Sequence, residues 1–206
     1  MKIVHQVLVY PKNDSLTVHE MEVAWQAMRR VYMWFWVYLE RTFELRQGII
    51  HKLTTQVLPA DKGGLTKTLL DEWKNRGLPL NEDTIYMCFV KGQGGYAGGY
   101  KVGTPMFSQA GLGVVSDACW LALLGKNQEV EKILGVAQGS AIASVNGQTG
   151  ALAHELGHTF GLDDTNYYTW GQDYLMNGSY FWWPAVRLTD KEQKLLISSG
   201  FFTKES

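Results

Sequence analysis

The chain has 206 residues, of which 46% are hydrophobic and 19% charged, a globular composition with enough length for one core, whole or divided into two lobes around a cleft. Its 19 Lys and Arg stand against 20 Asp and Glu, a formal net charge of -1. No global positive field draws such a chain to a phosphate backbone, which argues against nucleic acid as a partner.

Residues 2–10 alternate branched and polar side chains and read as a strand ended by Pro11. They are too regular, short and polar for the apolar core of a signal peptide: either the protein is made without one or the chain begins after it. A long helix is expected from about 17 to 47, because Met21, Trp25, Met28, Tyr32, Phe35 or Trp36, Leu39 and Phe43 recur at spacings of three and four, with Gly48 as its stop. Within it, 31–39 is the most apolar run. At nine residues between charged ends it falls far short of the roughly 20 that a membrane span needs.

A second strand is expected over 49–58, ending at Pro59, and a second helix over 65–75 with Leu65, Leu69, Leu70 and Trp73 on one side and Gly77 closing it. Residues 84–90 form an apolar, central strand. Residues 91–103 carry Gly92, Gly94, Gly95, Gly98, Gly99 and Gly103, the texture of a mobile or closely approached loop. No Gly-Lys-Ser or Gly-Lys-Thr ending follows, so the stretch is not a phosphate-binding loop. Leu112 to Val115 reads as a short edge strand, and Cys119 to Leu124 as another strand or the start of a helix. From 127 to 146 the pattern fits either a short helix followed by a strand or an extended loop. A helix resumes near Thr149 and runs through Thr159, and a last one spans 190–198, capped by Thr189 with Gln193 near its first turn. Cys88 and Cys119 form one bridge or remain two buried thiols, and neither carries a signal for catalysis.

The decisive segment is His154-Glu155-Leu156-Gly157-His158. Residues four apart on a helix differ by only about 40 degrees around the axis, so both imidazoles can face one ion. Glu155 can reach a water on that ion from the side without taking a ligand position. The flanking Gly150-Ala151-Leu152-Ala153 and Phe160 make an apolar setting in which a His-Glu-His group is costly unless paired or metal-bound. Gly161 lets the backbone leave the helix sharply and bring Asp164 back as an oxygen ligand, with Asp163 as the rival.

This stretch, HELGHTFGLDD, resembles the HExxHxxGxxH motif of the metzincin metallopeptidases, with Asp164 where the third histidine is usual. The aspartate form is similar to the snapalysin branch of small bacterial secreted metalloendopeptidases. Met176, within Asp173 to Gly178, resembles the methionine turn beneath the metzincin zinc site. Where some members place a tyrosine two positions after that methionine, this chain has Gly178, with Tyr174 and Tyr180 as nearby substitutes.

The resemblance implies an α/β (α+β) fold: a twisted mixed sheet with backing helices, the motif helix as floor, and a small C-terminal subdomain. The chain would be one catalytic domain, 1–206, divided into 1–161 and 162–206. It further implies Zn²⁺ held by His154, His158 and Asp164, Glu155 as general base, and a protein or peptide substrate. An antiparallel edge strand would pair with that substrate; Leu112, Gly113, Val114 and Val115 are the candidates. A primed-side wall lies in 177–187, with Tyr180 and Trp182 as contacts. The alternative is a metal-bearing binding or structural module that does not cleave peptides.

Overall fold

A computed structural model of the chain describes residues 2–56, 58, 62–95, 97–100, 111–164, 174–178 and 180–204. The elements are β1 (Ile3–Tyr10), α1 (Val18–Leu39), β2 (Glu44–Lys52), α2 (Lys62–Asn75), β3 (Thr84–Val90), β4 (Ala97–Tyr100), β5 (Gly111–Val115), α3 (Asp117–Leu123), α4 (Asn127–Leu134), α5 (Val145–Phe160) and α6 (Asp190–Ser198). The strands form one mixed sheet in the order β2-β1-β3-β5-β4, parallel throughout except for β4, which runs antiparallel to β5. This is the expected class: a mixed sheet with helices against it and the motif helix, α5, among them.

The centre of the sheet follows from β3, whose seven residues are all buried. Ile85, Met87 and Phe89 pack with Met28 and Phe35 of α1 and Leu152 and Leu156 of α5, whereas Tyr86, Cys88 and Val90 pack with Leu65, Leu69 and Trp73 of α2. A strand covered on both faces has no polar side to show, hence its continuous apolar run. The C-terminal residues Val186, Leu188, Leu196, Phe201 and Phe202 join the α1–α5 cluster.

Several expected boundaries move. Helix α1 opens on a capping box, in which Thr17 Oγ accepts from the Glu20 N–H at 3.2 Å and the Glu20 carboxylate accepts from the Thr17 N–H at 2.7 Å. It ends at Leu39 rather than near 47, because Glu40 adopts a left-handed conformation with φ 50 and Thr42 then bridges Thr203. Phe43 continues the apolar period only by coincidence: from an extended segment it packs on Phe35, Phe160 and Phe202. Gly48 is no helix stop. It lies in β2 at φ +96, where the register against β1 slips between His5 and Val7, so the strand begins at Glu44 and ends at Lys52. The expected strand end at Pro59 lies outside the described residues.

The glycine-rich stretch contains a strand, β4, while 96 and 101–103 lie outside the described residues. Strand β5 is not an edge. Leu112, Gly113, Val114 and Val115 pair with β3 on one side and β4 on the other, so their backbone groups are not open to a substrate. Cys119 falls in a helix, and 127–146 holds α4 followed by a 3-10 turn at Ala141–Ala143. Helix α6 matches its expected span, with Glu192 rather than Gln193 closing the capping box on Thr189. Cys88 and Cys119 are free thiols buried in different clusters. Burial raises both, Cys119 to about 12, which keeps them unreactive. No helix among the described residues is long and apolar enough to cross a membrane.

Helix α2 is fastened to the end of β2 through Glu72. Its buried carboxylate accepts from the Thr54 N–H at 2.8 Å, from the Thr54 hydroxyl, and from His51 Nε2 at 3.3 Å. Burial opposes the charge of Glu72, but the Thr54 and His51 bonds outweigh it and hold the carboxyl below its ordinary 4.5. Burial, with the charge of Arg76, holds His51 below its ordinary 6.5 against the pull of Glu72. Both groups therefore bind protons more readily in the unfolded chain, so their stabilisation is present at neutral pH and lost on acidification, His51's from about pH 6.5 downward and Glu72's from about pH 4.5 downward. Urea denaturation should show stability falling between about pH 7 and 5, a decline that His51→Gln flattens. Glu72→Gln should cost roughly 1–3 kcal/mol at neutral pH, as expected when a buried network loses one member.

Candidate metal centre

Helix α5 begins at Ser144, whose hydroxyl accepts from the Gly147 N–H at 3.0 Å, and ends at Gly161, whose φ of 101 few other residues adopt. The Leu162 N–H closes the turn on the Gly157 carbonyl at 3.1 Å. That turn also orients a side chain of the motif, because His158 Nδ1 donates to the Leu162 carbonyl at 2.9 Å. His154 Nδ1 donates to the Leu175 carbonyl at 2.8 Å, from the segment that carries Met176. Both histidines thus have Nδ1 committed to a backbone acceptor and present Nε2 to the same point.

At that point the two Nε2 atoms lie 3.1 Å apart, and each is 3.4 Å from Asp164 Oδ1. Ligands bound at about 2.0–2.1 Å in a tetrahedron stand ~3.3–3.4 Å apart, so the three atoms form nearly one face of a zinc coordination shell. Asp163 is not part of this group. His154 is buried, His158 half-buried and Asp164 exposed. Burial works against a proton on His154, but the Asp164 bond and the Glu155 charge outweigh it and raise its affinity for protons; burial and the neighbouring His154 lower that of His158.

The surroundings are close. A Cβ on Gly99 of β4 would stand 2.0 Å from the Glu155 carbonyl oxygen and 2.7 Å from His158 Cβ. A Cβ on Gly150 would meet the Tyr180 carbonyl at 1.9 Å, and one on Gly157 would meet Met176 Sδ at 2.6 Å. Met176, fully buried, therefore lies against α5 one residue from His158. Tyr174 is half-buried and pairs with Arg187. Asp173 and Ser179 lie outside the described residues.

The aromatic segment divides. Tyr180 packs on His154 with ring centroids 4.8 Å apart, Trp182 is 55% exposed, and Trp183 joins the core. Tyr180 thus stands beside the histidine pair and Trp182 at the surface, while Trp183 is part of the core. The role of β4 was missing from the sequence reading, although the Gly98-Gly99 pair carried its signal as a closely approached segment.

No family model matches the chain, and no curated protein matches it in sequence. Solved structures do. Wild-type OgpA from Akkermansia muciniphila superposes with a TM-score of 0.63 at 15% identity, covering 99% of this chain and 62% of that one. The catalytically inactive form, solved in complex with an O-glycopeptide (glycodrosocin) substrate, gives 0.65 at 14%, covering 98% and 61%. The chain therefore spans less than two thirds of OgpA, and what the two share is the fold. An archaemetzincin from Methanopyrus kandleri is more distant, with a TM-score of 0.48 at 14% identity over 94% of both chains, and nothing rests on it.

The clearance at Gly99 and Gly157 differs in kind, since backbone stands over the first and the end of a flexible thioether over the second. Gly99→Ala should cost on the order of 1–3 kcal/mol in chemical denaturation, as overpacking does, and Gly157→Ala markedly less.

Proposed function

We propose that the chain is a zinc-dependent endopeptidase in which His154, His158 and Asp164 hold the metal and Glu155 is the general base. The convergence of three acceptor atoms, 3.1–3.4 Å apart, on one point carries this reading. With both Nδ1 atoms donating to carbonyls, the neutral imidazoles aim lone pairs at each other and at a carboxylate, an arrangement that is stable only around a cation or a shared proton. Two nitrogens and one oxygen in this geometry suit zinc, with a position left open.

Zinc, when bound, supplies a Lewis acid that polarises a peptide carbonyl and makes water acidic near neutral pH. Glu155, next to His154 on α5 and half-buried, takes the proton from the attacking water and delivers it to the leaving amine. Its charge already acts on His154. Leu175 and Leu162 fix the two rings through Nδ1, and Met176 supports the helix beneath them. Among the described residues β4, rather than β5, is the sheet edge beside the motif helix, and an extended peptide would pair with its outer side. The Asp for His exchange supports likeness to the snapalysin branch among metzincins.

Two measurements test this. On a pool of unfolded peptides, including O-glycosylated ones because of the ligand that OgpA holds, zinc-loaded protein should cleave. Glu155→Gln should lose about 10²–10⁴-fold in rate while keeping fold and zinc. Near-normal turnover in metal-replete Glu155→Gln would remove Glu155 from the reaction. In competitive chelation, Asp164→Asn should weaken zinc by at least ~100-fold, beyond the usual effect of losing an outer hydrogen bond, and Asp163→Asn far less. The reverse order would transfer the oxygen ligand to Asp163.

A further inference from the structure

The metal centre makes no use of a groove at the C-terminal half of α1. Met33, Trp34 and Val37 line one side and Trp183 and Pro184 the other, around a shallow, open depression of about 420 Å³. The Trp34 indole N–H donates to the Pro184 carbonyl at 3.2 Å, which ties the two walls together. Trp34 and Trp183 are sunk into the core, while Met33 and Val37 stand 47% and 68% exposed. Arg29 and Arg30 complete the lining, and no acidic residue contributes to it. Both arginines are exposed. Arg29 Nε donates to the Gln47 side chain at 3.0 Å, and neither arginine has an ion pair with a carboxylate among the described residues.

We propose that this groove docks an acidic peptide segment of a partner protein, with one large apolar side chain entering between α1 and Pro184 and flanking carboxylates on Arg29 and Arg30. Two adjacent guanidinium groups without a carboxylate at the rim of an apolar depression are complementary to that composition, and guanidinium binds carboxylate in a bidentate fork. The size agrees. The seven helical steps from Arg30 to Val37 rise ~10 Å, the reach of about three extended residues, and the groove's volume lies in the roughly 300–1,000 Å³ range of sites that accept a compact group such as one large side chain. A bilayer fits less well: the indoles form a floor that a side chain can enter, whereas amphipathic surface binders press an outward apolar face into the interface. The inference does not rest on the peptidase reading, since none of these residues belongs to the metal centre.

The test uses fluorescein-labelled twelve-residue peptides with a central Leu, Phe or Trp flanked by Glu, titrated by anisotropy into zinc-loaded Glu155→Gln chain so that any cleavage is suppressed. Saturable binding is expected, weakened by salt and lost when Lys replaces the flanking Glu or Ser the central residue. Arg30→Glu and Val37→Glu, both at exposed positions, should each weaken it at least ~10-fold with unchanged thermal unfolding. Equal affinity for the Lys-flanked peptides, no saturable binding, or binding indifferent to both substitutions would overturn the proposal. Two further outcomes would also overturn it: Val37-dependent sedimentation with phosphatidylserine vesicles in the absence of peptide binding, which assigns the face to lipid, and Val37-dependent dimerisation, which assigns it to a second copy.

Discussion

At three glycine contacts helix α5 meets its neighbours too closely for a methyl group, one where Gly99 of β4 approaches Glu155 and His158, the other two on the face that carries Gly150 and Gly157. Strand β4 crosses at Gly99, the Tyr180–Trp183 turn presses on Gly150, and Met176 fills the space at Gly157. Each glycine is there because a methyl group would collide with what lies opposite. The result is a helix held close to β4 on one face and to the 174–183 segment on another, and which carries His154, Glu155 and His158 with it. Rigidity of this kind is what a coordination shell needs, since donor atoms must stand at set distances before an ion arrives.

The same closeness governs the electrostatics. Because the chain returns to α5 at Leu162 and again at Leu175, two backbone carbonyls are available inside the structure to take the Nδ1 protons of His158 and His154. Those bonds select the tautomer and turn both Nε2 atoms inward. Asp164 comes from the exposed side, carried by the turn at Gly161, so its carboxylate meets the pair without the full penalty of burying a charge. Burial of the histidines, orientation by carbonyls and an exposed anionic ligand are three consequences of one helix end and one returning segment.

Much of this was legible in the sequence for a simple reason: His154, His158, Gly161 and Asp164 lie within eleven residues, where helical geometry relates the two histidines and one left-handed glycine turn relates them to Asp164. The strands β1 and β3 and the helix α6 were legible too, from alternation, a continuous apolar run and a Thr-capped start. Contacts between distant segments were not. Nothing local marks the Leu175 carbonyl as the partner of His154, nor β5 as an interior strand, because sheet order is set by pairing across the chain. Phe43 kept a helical period while lying in an extended segment, and the left-handed turn at Glu40 uses a residue type that rarely adopts it. The glycines of β4 read as looseness or close approach, and only the packing against α5 decides for the second.

The most direct test of the account is the metal content of the chain. Protein reconstituted with zinc and dialysed should retain one zinc per chain by elemental analysis, bind it with release of protons, and lose it together with part of its thermal stability in His158→Ala. Absence of stoichiometric transition metal after reconstitution, or zinc held undiminished by His158→Ala, would contradict the assignment of this cluster as a metal centre and with it the chemistry built on it.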